Sequence, residues 1–280
     1  HSHYWTSGVA GGQLKADWGV PLVHMFHTLG LMKNRIARDE SEREGEYRLN
    51  GEREVLRIAD KVIAATFAEQ SQLEFLYNAN RRNIVIIPPG VDTSHFYPIP
   101  ADEAKDVVGI ASREQMILFV GRVEPLKGIE TLIRAIAILK THGDLNEFPF
   151  YLAIIGGDPT ATPEAMNAEM ARLQALSREL GLGNLVLFLG KRGQDSLPYY
   201  YSAAEVVVVP SHYESFGMVA LEAMACGTPV IASKVGGLAF TVQDGITGFH
   251  IPYRDHEALA GRIESILGDA GLQARLGRQA

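Results

Sequence analysis

The sequence predicts an α/β protein built on parallel, doubly wound sheets and divided into two units. Short, nearly continuous apolar runs have the length and character of strands buried on both faces. Longer amphipathic segments alternate with them, which is the pattern of strand–helix–strand crossovers. A third observation divides the chain: residues 88–114, "PPGVDTSHFYPIPADEAKDVVGIASRE", are rich in Pro, Gly and charge and read as a connection. The expected organisation is a partial first domain over 1–98, a linker over 99–114 and a second domain over 115–280.

The elements follow in order. "HSHYWTSG" (1–8) reads as the end of a strand running into a loop. "PLVHMF" (21–26), "KVIAA" (61–65) and "NIVIIP" (83–88) are strand candidates, with helices over 45–59 and 66–79. Beyond the linker, "MILFVG" (116–121), "FYLAIIG" (150–156), "LVLFLG" (185–190), "EVVVVP" (205–210), "TPVIAS" (228–233) and "GFHI" (248–251) are strands. The segments 128–141, 163–181, 194–203, 217–226 and 255–268 have helical spacing between them. The chain opens without Met and closes, "GLQARLGRQA", inside a helical pattern. A fragment truncated at both ends is expected, with the first domain incomplete. Two such domains are expected to face a cleft at the carboxyl ends of their strands, where ligands of open α/β sheets bind.

Composition narrows the function classes. Apolar residues make 46% of the chain and charged ones 21%, as in a folded globular protein. The net charge is −7, and no basic block resembles a nucleic-acid arm. No apolar run approaches the roughly 20 residues of a membrane span, so no integral membrane segment is expected, and no signal peptide is read at the start. The single cysteine, Cys226, excludes an internal disulfide framework and a cysteine zinc site, and a reducing cytoplasm fits it. There is no nucleotide-binding G-x-x-x-x-G-K-[ST] loop and no G-x-G-x-x-G.

Two local patterns bear on chemistry. In "PSHYESFGMVALEAMACGTPVIAS" (210–233), Glu214 follows a strand and Glu222 lies eight positions on, inside a helix. A helix turns them about 80° apart, so they are not one paired-carboxylate face. Glu214, with the open amides near Phe216 to Met218 and the permissive Gly217, makes an acceptor–donor set suited to sugar hydroxyls. Glu222 could reach a second hydroxyl pair, such as a ribose. The plain alternative is a helix-start acid and a solvated acid. In "FVGRVEPLKGIETLIRAI" (119–136), Arg122 and Lys127 lie five apart on a strand-to-helix turn. Such cations beside a helix start suit a diphosphate. Two solvated loop cations are the alternative.

Taken together these motifs resemble the retaining glycosyltransferases of family 4, with the GT-B fold. "GRVEPLKG" and the E-x7-E stretch carry the likeness, and "GGLAFTVQDGITGF" (236–249) and "PPGVDTSHF" (88–96) extend it. "HSHYWTSG", "FHTLGLMKN" (26–34) and "YRLNGEREVLRIAD" (47–60) look most like the D-inositol-3-phosphate glycosyltransferases and the sucrose-phosphate synthases. The resemblance implies a UDP-sugar donor whose diphosphate is held by Arg122 and Lys127. It implies that Glu214 and the amides of Ser215, Phe216 and Gly217 bind the donor sugar, and that Glu222 binds the ribose. The backbone at Lys191 and Arg192 would receive the uracil, and His27 would lie against the reacting sugar. Tyr4, Thr28 and Arg48 match positions that grip the acceptor's phosphate, a role these groups suit chemically. The resemblance also implies a front-face mechanism; no metal is required if the two cations and the helix end stabilise the leaving diphosphate, and no cofactor is expected. The family's glycine-rich phosphate loop would lie upstream of residue 1, and its crossing helix beyond residue 280.

The expected activity is transfer of a hexose or N-acetylhexosamine to a hydroxyl of a small phosphorylated polyol or sugar. A non-catalytic nucleotide-sugar binding fragment and a GT-B epimerase are the competing readings. Calorimetry with UDP, donor consumption and product analysis without acceptor separate them. The expected partners are small molecules and not nucleic acid, and a homodimer stays open. His1 and His3 flank a serine but lack a third metal ligand nearby. Gly156 and Gly157 close a strand, either as a ligand approach or as a plain turn. Cys226 and Tyr199, Tyr200 and Tyr201 are read as structural.

Overall fold

The computed structural model describes residues 1–141, 149–162 and 167–280. Two compact units divide them. One holds His1–Pro89 with the short stretch Tyr213–Phe216, and the other holds Gly90–His212 and Gly217–Ala280.

The first unit is a parallel four-stranded sheet, β1 (Ser2–His3), β2 (Val23–Met25), β3 (Lys61–Ala64) and β4 (Ile84–Ile86), in that spatial order. Its helices are α1 (Trp5–Trp18), α2 (Gly30–Ile36), α3 (Glu46–Ile58) and α4 (Phe67–Tyr77). The expectation that 1–8 run from a strand into a loop holds only for the two residues of β1; a 14-residue helix starts at Trp5. Its sequence hides it. Gly8, Gly11 and Gly12 interrupt the apolar period, and glycine lowers helix propensity. Packing compensates. A Cβ on Gly8 would lie 2.6 Å from Val55, and one on Gly12 would lie 2.3 Å from Ile58, so these glycines let α1 approach α3 closely. α4 begins more legibly: the Thr66 hydroxyl accepts from the Glu69 amide, a cap that the spacing of Thr66 and Glu69 announces.

In the second unit, α5 (Ala101–Val108) comes first, inside the stretch read as linker. It packs on α8 (Leu197–Ala203) and buries Ala104 among the core side chains. β5 (Gln115–Val120), α6 (Ile129–Leu139), β6 (Phe150–Ile155), α7 (Ala168–Glu179) and β7 (Val186–Gly190) form one half. Residues 163–166 of the helix expected over 163–181 lie outside the described residues. β8 (Val206–Val209), α9 (Met218–Ala225), β9 (Val230–Ser233), α10 (Leu238–Thr241), β10 (Gly248–Ile251), α11 (His256–Leu267) and α12 (Ala270–Gln279) form the other. All strand pairs are parallel, in the order β10-β9-β8-β5-β6-β7. Ile117 and Phe119 of β5 enter one helical layer, whereas Met116 and Leu118 enter the other. Burial on both faces explains the unbroken apolar runs.

The strand order reverses between β5 and β8. In an open α/β sheet that reversal leaves a crevice at the carboxyl ends of the two strands. The basic turn follows β5, and the loop to the glutamates follows β8. Among the described residues, no helix is long and apolar enough to cross a membrane.

Candidate active site

In the second unit the turn after β5 is fastened to the loop after β8. Pro125–Lys127 form a 3-10 turn, ended by Gly128 in the left-handed region at φ 66°. A Cβ at Gly128 would lie 2.0 Å from the Pro210 carbonyl oxygen. The His212 amide donates to the Leu126 carbonyl at 2.8 Å. Only a glycine meets both demands, positive φ and contact with a backbone oxygen. The turn after β6 joins the same place, because a Cβ at Gly156 would lie 1.9 Å from the Gly121 carbonyl oxygen. The carboxyl ends of β5, β6 and β8 therefore meet around the half-buried Lys127 turn. Arg122 is exposed and pairs with Glu124 at 2.7 Å.

Gly217, at φ 96°, opens α9. One and a half turns on, Glu222 accepts a hydrogen bond from the Tyr201 hydroxyl at 2.7 Å. Burial pushes the Glu222 carboxyl above its ordinary pKa, and the Tyr201 hydrogen bond partly counteracts this. Tyr201 is fully buried on α8 and was given no role in the sequence; its spacing showed packing, not the carboxylate it would meet. Lys191 and Arg192 are exposed after β7. The Arg192 side chain turns back on its own loop. It donates to the Tyr200 hydroxyl at 2.9 Å and to the Leu189 carbonyl at 2.6 Å.

The first unit gathers Tyr4, Thr28 and Arg48, which lie far apart in sequence. The Arg48 guanidinium donates to the Tyr4 hydroxyl at 3.2 Å and to the Thr28 hydroxyl and carbonyl at 3.0 and 3.2 Å. Arg48 is only 5% exposed, and two carboxylates make its burial tolerable. Nε donates to Glu52 at 2.8 Å and Nη1 to Glu44 at 2.8 Å. Burial alone would lower the guanidinium's pKa, but the hydrogen bond to Glu52 and the charges of Glu52 and Glu44 outweigh it and raise it. Glu52 is wholly buried, receives the Gly30 amide at 3.0 Å and is also the acceptor of the Tyr77 hydroxyl. Glu44 and Glu52 were missed in the sequence. Their i,i+4 spacing about Arg48 was the available signal.

Tyr4 and His27 are non-glycine residues at φ 69° and φ 64°, just past the adjacent strands β1 and β2. Such backbone strain gathers at functional sites. The His27 ring lies 2.7 Å from His3, Nε2 to Nδ1, and burial followed by the nearby His3 lowers its pKa. The half-buried Glu214, Ser215 and Phe216 belong to the stretch grouped with this unit, and the Ser215 hydroxyl donates to the His27 carbonyl. Among the described residues, no group of three or more His, Cys, Asp or Glu is placed to hold a metal ion.

A parallel sheet with a strand-order reversal between β5 and β8, a cationic turn after the one and an E-x7-E stretch after the other belongs to the class of open α/β proteins with a crevice at the switch point, and sequence comparison gives the family. Residues 100–280 match the model of the glycosyl transferases group 1, and the chain belongs to that family. Residues 1–95 match the model of Glycosyltransferase Family 4. The D-inositol 3-phosphate glycosyltransferase of Acidothermus cellulolyticus is 42% identical over 100% of this chain and 61% of its own length. That of Actinosynnema mirum is 40% identical over 99% of this chain and 65% of its own length. The chain thus spans about three-fifths of these relatives. Among solved structures, sucrose-phosphate synthase from Thermosynechococcus elongatus superposes with a TM-score of 0.87 at 39% identity, covering 100% of this chain and 66% of that one. Anabaena HepE, solved with UDP and glucose, gives 0.82 at 25% identity, covering 98% and 69%. The fold is the α/β fold of the GT-B glycosyltransferases.

Proposed function

We propose that the protein is a retaining glycosyltransferase that moves a hexose or N-acetylhexosamine from a UDP-sugar to a hydroxyl of a small phosphorylated polyol or sugar. The observation that carries this reading is the Lys127 turn at the β5/β8 reversal, held against the Pro210–His212 backbone. A relative solved with UDP and glucose, and relatives named for D-inositol 3-phosphate, support the two substrate classes.

In this reading Arg122 and Lys127 hold the donor diphosphate and stabilise the charge that grows on it as the sugar departs. Glu222, oriented by Tyr201, binds the ribose, and the backbone at Lys191 and Arg192 receives the uracil. Glu214 and the amides of Ser215, Phe216 and Gly217 hold the sugar, with His27 beside the reacting carbon. Tyr4, Thr28 and Arg48 hold the acceptor's phosphate. The acceptor attacks from the face the diphosphate leaves, and the departing phosphate takes its proton. Glu214 then positions the sugar and forms no bond to it. Cations and backbone amides supply the electrostatics, without a metal or a cofactor. The single cysteine, Cys226, fits a cytoplasmic enzyme.

The test is donor consumption by the full-length protein with UDP-sugars and D-inositol 3-phosphate. Lys127→Ala is expected to lower kcat about 10²–10³-fold, the usual loss of one oxyanion donor. Wild-type turnover in Lys127→Ala would remove that lysine from the mechanism and with it the reading of the turn.

A further inference from the structure

Arg48 makes five hydrogen bonds within the protein: Nε to Glu52, Nη1 to Tyr4 and Glu44, and Nη2 to the Thr28 carbonyl and hydroxyl. A guanidinium has five N–H donors, so an arriving anion must displace one of these partners. The partners are unequal. Glu52 has no exposed surface and is gripped by the Gly30 amide and Tyr77. The Thr28 carbonyl is backbone. Glu44 is the charged partner that reaches solvent: its side chain is 24% exposed. The same Glu44 oxygen also accepts from Lys33, so one carboxylate bridges two cations.

The Glu44 main chain is anchored independently of its carboxylate. It is clamped to Asn34, whose Oδ1 accepts the Glu44 amide at 2.7 Å and whose Nδ2 donates to the Glu44 carbonyl at 3.1 Å. The side chain can therefore swing out while the main chain stays in place. Its departure would free one Nη1 donor of Arg48 and the Lys33 ammonium together, leaving two cations against the one carboxylate of Glu52. That balance suits a dianion and offers nothing to a neutral polyol.

We propose that the Glu44 carboxylate is an internal anion, bridging Lys33 and Arg48, that a phosphate group must displace to bind. The inference rests on the reading of Tyr4, Thr28 and Arg48 as the acceptor-phosphate grip, and it adds Glu44 and Lys33 as the residues that set selectivity there. Glu44 holds the cations neutralised against weaker anions, and Lys33 becomes the second phosphate ligand.

Calorimetry on the chain, with inorganic phosphate and D-inositol 3-phosphate as probes and UDP as reference, tests this. Glu44→Gln keeps the side chain's size and the Asn34 clamp. It is expected to bind both phosphate probes about tenfold more tightly, the scale of one charge-assisted hydrogen bond no longer in competition. Its UDP affinity is expected to stay unchanged, which a general disturbance of the fold would not permit. Lys33→Met is expected to weaken phosphate binding in the Glu44→Gln background. Phosphate binding by Glu44→Gln equal to or weaker than wild type overturns the proposal. Arg48→Ala checks the underlying reading separately. If it abolishes phosphate binding while Glu44→Gln changes nothing, the grip stands and the displacement fails. If it leaves phosphate binding intact, the grip itself is wrong.

Discussion

Gly128 fastens the turn after β5 to the loop after β8, and its replacement gives a controlled measure of that fastening. Gly128 ends the Pro125–Lys127 turn and Gly109 ends α5, both in the left-handed region, at φ 66° and φ 78°. A Cβ at Gly109 meets nothing within 4 Å, whereas one at Gly128 lies 2.0 Å from the Pro210 oxygen and 2.9 Å from its carbon. Gly109→Ala should cost only the left-handed penalty, about 1–2 kcal/mol. Gly128→Ala carries the same penalty and also overpacks a backbone contact, so it should cost about 2–5 kcal/mol. The colliding atom is a carbonyl in a loop tied by the His212–Leu126 hydrogen bond, so it has no rotamer to escape into. Urea unfolding followed by circular dichroism reads both losses as shifts in midpoint at constant slope. Calorimetry with UDP should show weaker binding for Gly128→Ala alone. Equal losses in the two variants would refute the claim that close approach, and not merely φ, selects glycine at 128.

Two further outcomes are expected. Tyr201→Phe leaves the buried ring in place but removes the 2.7 Å hydrogen bond to Glu222. It should cost about 1 kcal/mol in urea and weaken UDP binding several-fold, and an unchanged UDP affinity would remove Tyr201 as the residue that orients Glu222. Glu69 is 1% exposed, and burial raises its carboxyl to about 7, opposed only in part by the Ala65 amide. The folded pKa lies above the unfolded one, so its contribution is present below about pH 4.5 and is lost as pH rises through 7, by about 3 kcal/mol in all. Glu69→Gln should lack that decline, and parallel curves of melting temperature against pH for the two proteins would show that Glu69 does not titrate there.

Much of the second unit was legible because strands buried on both faces leave long apolar runs. β5, β6, β8 and β9 appear within a residue or two of the runs that announce them. α1 was not legible, since its glycines serve contacts with Val55 and Ile58 that lie more than forty positions away. α5 was hidden by the Pro and Gly around it and is stabilised by burying Ala104 beneath α8.

The sequence by itself determined the class of fold and the local motifs, because periodicity and local spacing are properties of neighbouring residues, and the likeness of those motifs to a known family gave the rest. Only the tertiary structure decided which groups hold those motifs in place. Tyr201 meets Glu222 across 21 positions, Gly128 meets Pro210 across 82, and Arg48 collects Tyr4 and Thr28 from 44 and 20 positions away. Contacts at such separations arise when the sheet brings distant strand ends together, and no local pattern in the chain records them.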